Sequence, residues 1–286
     1  MRSMKTVSIL NHKGGVGKTT LTGCTAQALA LTGFRVLAVD NDSQHNLSTM
    51  LGTGVCEPTI RDAYINSETE APQQFLHAVR KTEIENLHII TSSRYLRDSD
   101  VPNDCHLQRV VDKCDPGRFY DYMLIDNAPG LDRLQESAIN ASDEIFVPTE
   151  LKQFAVNGIT EMEQILKDRF PDGPHITKII PNYYRDTKRH NSFIAALNSL
   201  FPGRITSTAI PIDRVFDELI IEGKILFLHR LYSKGAAYYL KLIHELFNLD
   251  EEEAWERMME KRKERISDEA RERYYRQRNS EEREQQ

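Results

Sequence analysis

The sequence predicts an α/β fold: a doubly wound, mostly parallel twisted sheet with helices on both faces. Three observations carry that expectation. First, an apolar run, Val7-Ser8-Ile9-Leu10, leads through a glycine-rich turn into a helical pattern. That pattern places Leu21, Cys24, Ala28, Leu29 and Leu31 at three- and four-residue spacing. Second, two later apolar runs deliver acids at their carboxyl ends, residues 34–39 before Asp40 and residues 122–125 before Asp126. Third, extended and helical patterns alternate along a chain of 286 residues, enough to bury a full core.

Taken in order, the first turn is Lys13-Gly14-Gly15-Val16-Gly17-Lys18-Thr19-Thr20. Strand, glycine-rich turn and helix form the context of a phosphate-binding loop. Glycines let backbone amides curl round an anion, and the new helix points its positive end at the same place. Lys18 can reach the β- and γ-phosphates, and the Thr19 hydroxyl can ligate Mg²⁺. The general phosphate-loop pattern is not fully met, because His12 stands where its first glycine falls and a second lysine, Lys13, precedes Gly14. The eight residues resemble the deviant Walker A sequence of the ParA/MinD group of ATPases. The resemblance implies ATP and Mg²⁺ as ligands, with Gly14, Gly15, Val16, Gly17, Lys18, Thr19 and Thr20 around the nucleotide. It also implies that Lys13 reaches across a dimer interface to the partner's nucleotide.

Gly33 ends the first helix, and residues 34–39 form the second strand. Its continuation, Asp40-Asn41-Asp42-Ser43-Gln44-His45-Asn46, resembles the family's D-x-D-P-Q-x-N, with serine in place of proline. By that match Asp40 holds the metal through water and Asp42 orients or deprotonates the attacking water. Alone, a D-x-D is as compatible with a solvated turn.

Residues 47–118 carry no partner motif. A short helix follows Thr59 as N-cap, residues 87–90 read as a strand, and His106 to Cys114 reads as a helix stopped by Pro116-Gly117. Residues 122–126 then form a Walker-B-like strand whose Asp126 belongs beside Mg²⁺. A helix over 131–141, a strand over 144–149 and a helix from Ala155 follow. Residues 177–182 read as a strand ending in Asn182; the resemblance implies that this amide binds the adenine edge, whereas the residue type alone also suits a turn. A helix opens within 185–190, a strand spans 205–210, and Pro211 ends it as a further nucleotide contact implied by the resemblance. Ser233 begins the last core helix.

The resemblance covers about residues 4–248, expected to be one ATPase domain (1–248). Residues 249–286 form a charged, helical tail with sparse apolar residues Trp255, Met258, Met259, Ile266, Ala270 and Tyr274. If helical over 250–278 it spans roughly 43 Å, docking one narrow stripe. It has too few large apolar residues and too many acids for a membrane anchor of the MinD kind.

No stretch approaches a membrane span, and the start runs straight into the first strand, which predicts no signal peptide. Four dispersed cysteines predict reduced thiols and a cytoplasmic protein, and the nine scattered histidines show no zinc spacing. The net charge of −6 hides an asymmetry: residues 176–248 hold ten Lys and Arg against six Asp and Glu. Lys188, Arg189, Arg214, Lys224, Arg230 and Lys234 are therefore candidates for non-specific DNA binding, each equally readable as a solvated charge.

The resemblance implies a partition ATPase: a homodimer in the ATP state, associated with the nucleoid, positioning a plasmid, chromosome or protein assembly through a ParB-like or other adaptor. Hydrolysis is expected to be slow until a partner stimulates it, with Lys13, Lys18 and Asp42 as the reacting groups and Thr19, Asp40 and Asp126 at the metal. A membrane-associated spatial regulator of the MinD/FlhG kind and a non-hydrolysing scaffold are the alternatives. An iron-protein reading fails, because Asn127-Ala128-Pro129-Gly130 after Asp126 offers no cysteine.

Overall fold

The computed structural model describes residues 4–250 and 252–267. In chain order the elements are β1 (Lys5–Ile9), α1 (Lys18–Leu31), β2 (Val36–Asn41), α2 (Asn46–Met50), α3 (Ile60–Ile65), α4 (Ala71–His77), β3 (Val79–Lys81), β4 (Leu87–Ile90) and α5 (His106–Cys114). Then come β5 (Tyr122–Asn127), α6 (Arg133–Asn140), β6 (Glu144–Glu150), α7 (Gln153–Arg169), β7 (Ile176–Asn182), α8 (Lys188–Leu200), α9 (Val215–Glu222), α10 (Leu226–His229) and α11 (Lys234–Phe247). A last helix, α12, covers 252–267.

The described strands form one sheet in the order β3-β4-β2-β5-β1-β6-β7, parallel except for β3. All six residues of β2 are buried, as a central strand covered on both faces requires. One face packs α1, α10, α11 and α12 around Leu29, Phe227 and Tyr239. The other packs α3 to α6 around Tyr64 and Phe75, and α7 and α8 close the β6–β7 end around Met162 and Leu166. The doubly wound fold expected from the sequence is therefore present. The carboxyl ends of β1, β2, β5 and β7 open on one edge, where such folds place their chemistry.

Thr59 caps α3 as expected, in a capping box with Asp62: the Thr59 N–H donates to Asp62 Oδ2 at 2.8 Å. Two expectations change. The strand read at 205–210 is not a strand. Only Ile205 and Pro211 make bridges, to Ile179 and Tyr184. Between them the Glu245 carboxylate takes the Ser207 and Thr208 amides at 2.6 and 3.0 Å, which draws that backbone away from a ladder. The second strand also starts later, at Val36, and runs through Asp40 and Asn41. The helix α4 and the antiparallel edge strand β3 are additions to the elements expected from the sequence.

The tail joins the core. Ala254 and Met258 are buried, Trp255 and Met259 pack beside them, and Trp255 meets Tyr232 edge-on at 6.1 Å. Arg262 lies over the Tyr232 ring at 5.0 Å and donates to the Leu228 carbonyl at 3.1 Å. Ile266 is exposed, and Ala270 and Tyr274 lie outside the described residues.

Candidate nucleotide site

β1 hands over to the loop through Asn11. Its Nδ2 donates to the Pro148 carbonyl at 2.9 Å, and its Oδ1 accepts the Lys13 N–H at 2.9 Å. The loop then needs two left-handed residues, Gly15 at φ 70° and Gly17 at φ 93°. A Cβ on Gly17 falls 2.2 Å from Asn182 Nδ2. Gly17→Ala therefore adds a left-handed penalty of about 1–2 kcal/mol to a backbone shift. The expected result is nucleotide affinity at least about tenfold weaker, read by titration calorimetry, since 1.4 kcal/mol is tenfold.

Lys18 is 7% exposed. Its Nζ donates to the carbonyls of Lys13 at 3.0 Å and Asn11 at 3.3 Å. Burial pushes the ammonium pKa down, and Asp126 and Asp42 pull it back up. The Thr19 hydroxyl donates to Asp126 Oδ2 at 2.7 Å, and the Thr22 hydroxyl reaches Asp126 Oδ1 at 3.3 Å. Asp40 stands opposite Asp126 in the β2–β5 ladder. Its Oδ2 accepts from Ser48 N–H at 2.8 Å and Ser48 Oγ at 2.6 Å. Burial pushes Asp40 up to about 7 and Asp126 up to about 8, and the Asp40 charge adds to the second shift.

Two buried carboxylates and a threonine hydroxyl form an all-oxygen donor set, which suits a hard divalent cation. Among the described residues no group of three or more His, Cys, Asp or Glu gathers to cage a metal. The set thus fits an ion such as Mg²⁺, which binds through few protein ligands and takes the rest from phosphate and water. Asp42 is half-buried past the end of β2; its N–H donates to Asp40 Oδ1 at 3.3 Å and its Oδ1 accepts from Gln44 N–H at 3.0 Å. Lys13 is exposed, and its ammonium makes no hydrogen bond or ion pair with the described residues.

Asn182, from the end of β7, meets the loop from the other side. Its Nδ2 donates to the Val16 carbonyl at 2.8 Å and its Oδ1 accepts the Tyr183 N–H at 2.9 Å, so the amide expected at an adenine edge is engaged with the loop. Pro211 is buried and bridges to Tyr184. The sequence reading missed Asn11, Ser48, Thr22 and Tyr183, because each acts on a residue that only folding brings near.

The basic candidates divide. Lys188 and Arg189 are exposed at the start of α8, and Lys234 at the start of α11. The Tyr184 ring lies 6.2 Å from that of His190 on α8, and Lys234 sits 5.6 Å from the centre of the Tyr238 ring on α11. Arg214 is exposed at the N-cap of α9. Arg230 pairs with Glu218 at 3.1 Å. Lys224 is half-buried just after Gly223, the left-handed residue that ends α9.

Comparison with known proteins agrees with this geometry. A family model described as an AAA domain matches residues 4–170. The chromosome partitioning protein ParA of Caulobacter vibrioides is 30% identical over 257 residues, covering 86% of this chain and 94% of that protein. The sporulation initiation inhibitor protein Soj of Bacillus subtilis is 27% identical over 258 residues, covering 85% and 98%. Among solved structures, the septum site-determining protein MinD of Pyrococcus horikoshii with Mg-ADP superposes with a TM-score of 0.71 at 27% identity, covering 85% and 96%. The ATP complex of Cyanothece McdA, at 23% identity, shares the fold with a TM-score of 0.71, covering 87% and 98%. A phosphate loop on β1, paired acids on β2 and β5, and these relatives lead to one conclusion: the chain belongs to the ParA family of ATPases.

Proposed function

We propose that this protein is an ATP- and Mg²⁺-dependent dimerising ATPase that binds DNA without sequence preference and positions a cargo through an adaptor protein. The observation that carries the reading is the contrast between the two lysines of one loop. Lys18 is folded into its own turn, whereas Lys13 presents an exposed ammonium, unpaired among the described residues, from a backbone pinned by Asn11. A cation held out from a phosphate loop suits the nucleotide of a second copy, in a two-fold arrangement where each protomer donates the same group. The nucleotide then gates association, because only the triphosphate gives both lysines a shared counter-charge.

Thr19 and Asp126 would hold Mg²⁺, with Asp40 behind them, and the ion would supply neutralisation of the phosphate charge. Lys18 balances charge on its own protomer's nucleotide, and Asp42 orients a water and accepts its proton. Turnover stays slow until an adaptor completes the site. DNA phosphates would meet Lys188, Arg189 and Lys234, exposed at the starts of α8 and α11, with Arg214, Lys224 and Arg230 as outlying contributors. Nucleoid association follows from such binding.

The test joins sedimentation with mobility shift on random-sequence DNA. ATP with Mg²⁺ is expected to double the sedimenting mass and to shift DNA, and ADP to do neither. Raising salt from 50 to 200 mM is expected to weaken the shift at least about tenfold, as counterion release requires. ATP-independent monomers that leave DNA unshifted would remove the reading.

A further inference from the structure

We infer that the buried amide pair Asn41–Asn127, anchored by the Tyr64 hydroxyl, positions the reacting groups at the strand ends by holding Asp42 and Asp126 in place beside the phosphate loop. The proposal rests on the reading of this site as one that hydrolyses a triphosphate, and it assigns that reaction its positioning residues.

Both asparagines directly follow an acid of the site. Asn41 stands between Asp40 and Asp42, and Asn127 comes after Asp126. Side chains alternate along a strand. Asp40 and Asp126 turn to the face of α1 and α2, where Thr19, Thr22 and Ser48 meet them, and the asparagines turn to the other face. There Asn41 Nδ2 donates to Asn127 Oδ1 at 3.0 Å and to the Leu134 carbonyl of α6 at 3.3 Å. The Tyr64 hydroxyl, on α3, donates to Asn41 Oδ1 at 3.1 Å. Asn127 Nδ2 donates to the Ile9 carbonyl at the end of β1 at 3.2 Å and to the Ile125 carbonyl at 3.4 Å. Each amide has two N–H donors, so every donor of the pair has an acceptor. Asn41, Asn127 and Tyr64 are all buried.

The place of this network gives it a role. The β2–β5 ladder ends at Asn41 and Asn127, and the β1–β5 ladder ends at Ile9 and Asp126. Past those rungs β1 leaves the sheet for the phosphate loop, and β2 leaves it for the turn that carries Asp42. The two amides add a side-chain rung at that point and join β1, β2 and β5. A buried amide pair gains little net stability over apolar side chains of the same shape, whereas its bonds are directional. The anchor is itself seated: the Tyr64 ring lies 6.0 Å from that of His106 on α5.

A network that only stabilises the fold and one that positions reacting groups give different signatures. The experiment measures single-turnover ATP hydrolysis at saturating Mg²⁺ and equilibrium ATP binding by displacement of a fluorescent analogue, both on the full chain, beside the thermal midpoint. It compares wild type with Asn127→Ala, Tyr64→Phe and Phe75→Leu. The last loosens the same buried layer without removing a polar tie. Asn127→Ala is expected to slow hydrolysis about tenfold or more, since reacting groups misplaced by about 1 Å lose up to about a hundredfold. Tyr64→Phe is expected to slow it about threefold to tenfold, the range of one net hydrogen bond. ATP affinity is expected to stay within about threefold in both, because the loop amides and Lys18 remain. Phe75→Leu is expected to lower the midpoint and leave the rate within about twofold. Tyr64→Phe keeps the ring, so it carries the test should Asn127→Ala fail to fold. A normal rate in Tyr64→Phe overturns the proposal. So does weakened affinity with a normal rate, or an equal loss of rate in Phe75→Leu. Failure of the wild type to hydrolyse ATP is a different result: it removes the ATPase reading, and the role of the amide pair with it.

Discussion

Replacing Lys18 by methionine is expected to lower ATP turnover at least about a hundredfold, the scale on which removal of one preorganised electrostatic donor is felt. Methionine keeps the unbranched chain and removes the charge. The carbonyls of Asn11 and Lys13 lose a donor but stay within a loop that Asn11 and Asn182 also hold. The fold is therefore expected to survive, with a thermal midpoint within a few degrees of wild type. The electrostatics point the same way. Burial disfavours the Lys18 charge, and Asp126 and Asp42 sustain it. A triphosphate adds negative charge and strengthens that support. Phosphate release under saturating ATP reads the effect, and turnover within threefold of wild type would show that the charge balance comes from elsewhere.

Asp42→Ala is expected to separate binding from chemistry. Turnover should fall by about two to four orders of magnitude, the usual worth of a positioned acid–base group. ATP affinity should change less than threefold, because Asp42 lies outside the buried Thr19–Asp126–Asp40 cluster and touches it only through its backbone N–H. Its carboxylate is half-buried and accepts only the Gln44 amide among the described contacts, which leaves lone pairs for a water. Single-turnover hydrolysis beside equilibrium binding distinguishes the two effects. A variant that binds ATP poorly and hydrolyses what it binds at the normal rate would move Asp42 from the chemistry to the binding step.

The legible part of this protein was local. Gly15 and Gly17 declare a turn because no other residue type adopts such backbone easily, and Lys18 and Thr19 follow in fixed register. Asp40 and Asp126 were readable as acids ending apolar runs, and the ladder that sets them opposite each other is what a parallel sheet does with two such runs. Other features were not readable for equally physical reasons. Asn182 acts on Val16 across 166 residues of chain, and Asn11 on Pro148 across 137. Nothing in the local pattern of 205–210 reveals that Glu245, on α11, takes two of its amides. The edge strand β3 has three residues, none buried, and so leaves no apolar alternation to read.

The docking of α12 has a practical consequence. Met258 has no exposed surface, and the Arg257 guanidinium reaches the Thr32 carbonyl just past the C-terminal end of α1. A version cut after residue 248, at the end of the family resemblance, would leave the greasy seat of Met258 and Trp255 facing water. Such a truncated protein is expected to be sticky and poorly soluble even with its catalytic loop intact, so precipitation of it would say nothing about catalysis.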